Sequence, residues 1–149
     1  MQVITQWGVE TNLRYASNRN SVKDYVFVWD VSRAMNAEIP HWSNPTDGSP
    51  IEVGKGKENN ANGLCDWLVQ WGTRFGWCPC SLAEACLSAQ AGKCAVASWR
   101  DPRGGPGHVA VFTPTTLGPR IAQAGTRNFV DLPLALGFGQ LPVACFHHE

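Results

Sequence analysis

The chain has no surplus of either charge: twelve Lys and Arg face twelve Asp and Glu, and the formal net charge is zero. No stretch gathers the cations that would neutralise a row of phosphates, so nucleic acid is not an expected partner. Long apolar runs are also missing. Each is broken by Gly, Pro or charge within about ten residues, short of the ~20 needed to span a bilayer, so membrane insertion is not expected. Met1 to Glu10, MQVITQWGVE, has neither the basic start nor the apolar stretch of a secretory signal, so export by that route is not expected. Before Cys65 there is no cysteine at all.

What is present is apolar and aromatic. Hydrophobic residues make up 44% of the 149 positions and include seven Trp and six Phe, against 16% charged, enough to build one packed core and to exclude disorder. We therefore expect residues 1–149 to form one domain. Six cysteines, five of them between Cys65 and Cys94 and the last at Cys145, permit three disulfides or plain buried thiols. The single residue between Cys78 and Cys80 is tighter than the spacing of structural zinc sites, so neither metal nor cofactor is expected.

Residues 22–37, VKDYVFVWDVSRAMNA, carry Val22, Val26, Phe27, Val31, Ala34 and Met35 at the spacing of a buried helix face, with Asn20 or Ser21 as its cap. A polar, Gly- and Pro-rich stretch from Pro40 to Asn62 reads as a long loop, either functional or simply solvated. A second amphipathic helix is expected over 62–75, stopped by Gly76. A third opens at Ser81, where Ser81 and Glu84 form a capping-box pattern, and ends at Gly92. Strands follow at 94–99, 108–113, 120–124 and 141–146, separated by Gly and Pro turns. Helices first and strands later predict an α+β fold with N-terminal helices packed on an antiparallel sheet.

The sharpest motif is RGGPGHVAVF, in which a Gly-rich turn delivers His108 to the first position of a strand. Flanked by KCAVASW before and IAQAG after, GHVAV resembles the sheet of the NlpC/P60 peptidoglycan peptidases, and small type VI secretion amidase effectors in particular. YVFVWDVSRAMNAEIP resembles that family's helix running from the nucleophile. The resemblance spans Tyr15 to Phe146 and rests on one motif, one helix and the order of elements. It implies a papain-like fold, cleavage of an amide in the stem peptide or cross-link of peptidoglycan, and a place in the cell envelope or outside the cell. It also implies an inhibitor or immunity protein as partner. By the same resemblance His108 is the base, Gln123 the residue that orients it, and Tyr15 a helper at the oxyanion.

One position departs from the family. The ungapped match puts Asp24 where the nucleophilic cysteine belongs. A carboxylate sits comfortably at a helix N-terminus but is a far weaker nucleophile than a thiolate. Three readings are open: a pseudoenzyme that keeps the groove as a binding module; a shifted register in which Cys65, opening CDWLVQW, is the nucleophile; or altered chemistry, with Asp24 as a base for water or a metal ligand beside His108. Among the aromatics, Trp29, Trp42, Trp77 and Trp99 are candidates to line a groove, whereas the helical spacing of Trp67 and Trp71 assigns them to the core. Asp101 and Arg103 either meet substrate or hold the Gly-rich turn. His147 and His148 read as a frayed polar tail.

Overall fold

The computed structural model describes residues 1–18 and 21–149. Its centre is a six-stranded sheet in which every neighbouring pair is antiparallel. In chain order the elements are α1 (Gln2–Gln6), a 3-10 turn (Leu13–Tyr15), α2 (Asp24–Ala34), β1 (Trp42–Ser43), β2 (Lys57–Glu58) and α3 (Ala61–Gln70), followed by a second 3-10 turn (Gly72–Phe75). Then come β3 (Trp77–Cys80), α4 (Leu82–Gln90), β4 (Ala95–Trp99), β5 (His108–Phe112), β6 (Arg120–Gln123), β7 (Phe129–Pro133), α5 (Leu134–Phe138) and β8 (Ala144–His148). The large sheet runs β3-β8-β4-β5-β6-β7, so the last strand inserts between β3 and β4. The expected α+β class with an antiparallel sheet is what the chain forms.

Alternation along the strands separates two cores. Val96, Val109, Val111, Ala122 and Phe146 face Phe27, Val28 and Val31 of α2 and Leu64, Trp67 and Leu68 of α3. Ala95, Ala97, Ala110, Phe112 and Ile121 face the other way, toward Ala85 and Ala89 of α4 and Phe138 of α5. The second core is alanine-rich on both helix and sheet, and small side chains let α4 approach closely. Each fully buried Val, Leu or Phe contributes about 1.5–3 kcal/mol, which is what holds the first-half helices against the sheet.

Helix α2 is shorter than predicted at both ends. It opens at Asp24 with Lys23 as the preceding cap residue; Ser21 does not cap it, and Asn20 lies outside the described residues. At the other end Asn36 adopts φ +57°, which stops the helix before Ala37. Ser81 caps α4 as expected, accepting a hydrogen bond from the Glu84 amide at 3.1 Å. The second predicted helix breaks into α3 and the 3-10 turn, closed by Gly76 at φ +85°.

The loop at 40–62 is packed rather than merely solvated. It pairs β1 with β2, the Trp67 indole N–H donates to Gly48 O (2.8 Å), and the Asn59 side-chain amide donates to Pro40 O (2.9 Å). Trp67 is buried as expected, whereas Trp71 lies only at the edge of the core. Two strands of the large sheet were not legible: β3 and β7 contain Pro79 and Pro133, which argue against a strand except at an edge, and both are edge strands. The final strand lies a few residues beyond its expected place, at Ala144–His148, so His147 and His148 are not a frayed tail. His147 Nδ1 meets Ser88 Oγ at 2.6 Å, and His148 Nε2 meets Phe75 O at 2.8 Å.

Candidate functional site

Three side chains from three elements meet where α2 starts against the sheet. Asp24 is the first residue of α2, His108 the first of β5 and Gln123 the last of β6. Asp24 Oδ2 lies 2.9 Å from His108 Nδ1, and His108 Nε2 lies 2.7 Å from Gln123 Oε1. The Gln123 amide nitrogen in turn donates to Arg127 O at 2.9 Å, which turns its oxygen toward the ring. Both imidazole nitrogens therefore face acceptors, and a ring protonated at both satisfies both contacts; a neutral ring leaves one of them acceptor against acceptor. The arrangement is a carboxyl group and an imidazole in direct contact, with the ring oriented by an amide.

Asp24 is held firmly. Its other oxygen, Oδ1, accepts from the Tyr25 amide at 2.8 Å, Val109 N approaches Oδ2 at 3.4 Å, and the residue is 1% exposed. The N-terminal end of α2 adds the favourable potential that its unpaired amides give an anion. The His108 ring packs on Phe138 of α5 with centroids 4.6 Å apart. With both oxygens already accepting and the side chain buried, the carboxylate is poorly placed to attack a carbonyl or deprotonate water.

The Gly-rich turn that delivers His108 is fixed from α3. The Asn62 side-chain amide donates to Gly105 O (2.9 Å), and its oxygen accepts from the Asp101 amide (3.0 Å). A Cβ on Gly107 would collide with Asn62 Oδ1 and Trp99 O, so glycine is needed there for close approach. Asp101 accepts from the Arg103 amide at 2.9 Å and lines neither cavity beside the site. It holds the turn. Asn62 was missed in the sequence because nothing in its neighbourhood predicts a partner more than forty positions away.

Two cavities flank the triad and share Ser21, Val22, Pro106 and Gly107 in their walls. One, of about 250 Å³, is lined by Asp24, Tyr25, Asn60 and Asn62. The other, of about 470 Å³, contains His108, Gln123, Trp99, Leu136, Leu141 and Arg127. The two cavities adjoin along these shared walls, one bordered by Asp24 and the other by His108 and Gln123, and we treat them as one groove beside the pair. Of the Trp residues proposed for a groove, Trp99 lines it; Trp77 is fully buried, with its indole N–H donating to Ala37 O (3.1 Å). Trp29 and Trp42 instead surround His41, with ring centroids 5.2 and 5.9 Å away.

Tyr15 lies apart from the groove. It is fully buried against Phe27, and its hydroxyl donates to Asp30 Oδ2 at 2.6 Å. Asp30, itself buried, also takes Arg14 Nε at 2.6 Å and Arg33 at 3.3 Å. Burial and the Asp30 carboxylate both push the Tyr15 phenol upward.

Cys65 does not open a helix. It is the fifth residue of α3, is 6% exposed and lines neither cavity, and burial pushes its thiol up to about 11. The shifted register that would make it the nucleophile is thereby set aside. All six cysteines are unpaired thiols, so the disulfide frame their even number permits is not formed. Among the described residues no group of three or more His, Cys, Asp or Glu is placed to hold a metal ion, which also leaves Asp24 and His108 without a third ligand. No protein-family model matches the chain, and no curated protein matches it.

Proposed function

We propose that this chain is a papain-like domain of NlpC/P60 type that binds the peptidoglycan stem peptide, or its cross-link, without cutting it. The observation that carries the reading is the 2.9 Å contact between Asp24 Oδ2 and His108 Nδ1. In a cysteine peptidase of this type the resting site is a thiolate at a helix N-terminus paired with an oriented imidazolium. Asp24 supplies the same charge at the same end of a helix, and Gln123 supplies the orienting amide. The carboxylate thus preserves the electrostatics of the resting site while withholding the nucleophile. The open groove on both sides of the pair supports retention of a ligand, and a cell-envelope location would bring that ligand within reach.

The test uses purified peptidoglycan and synthetic stem tetrapeptide. The chain should bind the tetrapeptide in calorimetry and release no fragments detectable by mass spectrometry, whereas an Asp24→Cys variant should release cleaved stem peptides. Cleavage by the unaltered chain would remove the non-hydrolysing reading. Absence of both binding and cleavage, in the chain and the variant alike, would remove the cell-wall assignment.

A further inference from the structure

Asp24 and His108 are engaged with each other, and Arg127 is the remaining charged side chain among the residues that line the two cavities. Arg127 lies on the turn between β6 and β7, is exposed, and its guanidinium makes no ion pair or hydrogen bond with a described residue. Its placement is nevertheless not casual. The Arg127 carbonyl accepts from Gln123, and Asn128 anchors the same turn by accepting from the Gly125 amide (2.9 Å) and donating to Val9 O (3.1 Å) and Tyr15 O (2.8 Å). The turn that bears the cation is therefore tied both to the residue that orients His108 and to the N-terminal segment.

Much of this cavity's lining is apolar. Leu136 and Leu141 stand 56% and 39% exposed, and Trp99 and Val22 continue the surface. Large aliphatic side chains left in solvent beside a polar site gain by being covered. A cavity with one planar cation at its rim and an apolar wall fits a ligand group that is aliphatic in its body and anionic at its end. A guanidinium takes a carboxylate through two parallel N–H···O bonds, which an ammonium cannot reproduce.

Resting on the reading of the groove as a peptide site, we propose that the larger cavity is a subsite for a carboxylate-bearing residue of the bound peptide. Arg127 is its specificity-determining receptor, and Trp99, Leu136 and Leu141 cover the aliphatic part.

The experiment compares a stem tetrapeptide with free carboxylates and the same peptide with every carboxylate amidated, titrated calorimetrically into the unaltered chain, Arg127→Gln and Arg127→Lys. The unaltered chain should prefer the acid form by about ten-fold, as expected of a charge-assisted pair at a partly exposed rim. Arg127→Gln should bind both forms with the affinity of the amide, and Arg127→Lys should recover only part of the preference. Since Arg127 is exposed, these variants should keep the unaltered thermal midpoint. An acid preference that survives Arg127→Gln, or equal binding of both forms by the unaltered chain, overturns the carboxylate subsite and leaves the groove standing. If neither form binds, the groove reading falls and takes the subsite with it.

Discussion

Asp24 and His108, eighty-four positions apart in the chain, lie in direct contact at 2.9 Å, the carboxylate buried and the ring half-enclosed by Phe138. Helix α2 is packed on β5, and this packing brings the helix start to the strand start. The pair is thus a product of the main core, and damage to either partner should register in stability as well as in ligand binding.

Replacing Asp24 by Ala removes the buried carboxyl that meets His108 Nδ1 and accepts from the Tyr25 amide. Breaking a buried pair by removing one partner costs about 3–5 kcal/mol, and we expect a loss in that range from urea unfolding. The Asp24→Cys variant should lose much less, because a thiolate restores the ion pair. Equal destabilisation of the two variants would show that the charge at position 24 is immaterial to the site.

Gln123 holds the far side of the ring. In Gln123→Leu the His108 Nε2–H loses its acceptor and the Arg127 carbonyl loses its donor, at a cost of about 1–3 kcal/mol. The sharper readout is the imidazole Nε2 proton in NMR, which should be slowly exchanging in the unaltered chain and broadened in the variant. A resonance that is unchanged in the variant would exclude Gln123 as the orienting residue.

Tyr15 was expected near an oxyanion and is found bonded to Asp30 in the core. Tyr15→Phe removes one donor from a carboxylate that still holds Arg14, so the expected loss is about 1–2 kcal/mol, measured by denaturant unfolding. Stem-peptide affinity should stay within two-fold, roughly 0.4 kcal/mol, of the unaltered chain. A large fall in affinity at unchanged stability would return Tyr15 to the binding site.

The buried thiols set a limit at high pH. Burial raises Cys65 to about 11 and Cys94 to about 12, above the ordinary value of 9.0 they regain on unfolding. Their protonated form is favoured by the folded state, so the stability they lend is complete below pH 9 and is lost as pH rises from there toward 11 or 12. Each such thiol should steepen the loss by about 1.4 kcal/mol per pH unit in that window. Urea midpoints taken from pH 8 to 10.5 should fall less steeply for Cys94→Ala than for the unaltered chain. Parallel curves would show that Cys94 does not titrate differently on unfolding.

The local pattern of the chain carried much of the fold. The apolar spacing of Phe27 and Val31, the capping pair Ser81 and Glu84, and the alternation in HVAVF each report an interaction within a few residues, and these elements stand where they were expected. His108 was legible for the same reason, since the Gly-rich turn before it marks the rim of a sheet. Elements whose character depends on position were not. Pro79 and Pro133 read as strand breakers until the sheet order places their strands at its edges, where a missing N–H costs no ladder bond.

Sequence alone fixed the chemistry on offer: balanced charge, an apolar and aromatic core, a histidine at a strand start, and an aspartate at a helix start with no thiol near it in the chain. Only the tertiary structure decided how those groups are used. It joined His108 to Asp24 and Gln123, sent Tyr15 to Asp30, buried Cys65, and placed Arg127 in the lining of a cavity with no side-chain partner among the described residues. The physical reason is that a side chain's role depends on which donors, acceptors and cavities surround it, and for these residues the surroundings come from strands and helices distant in sequence.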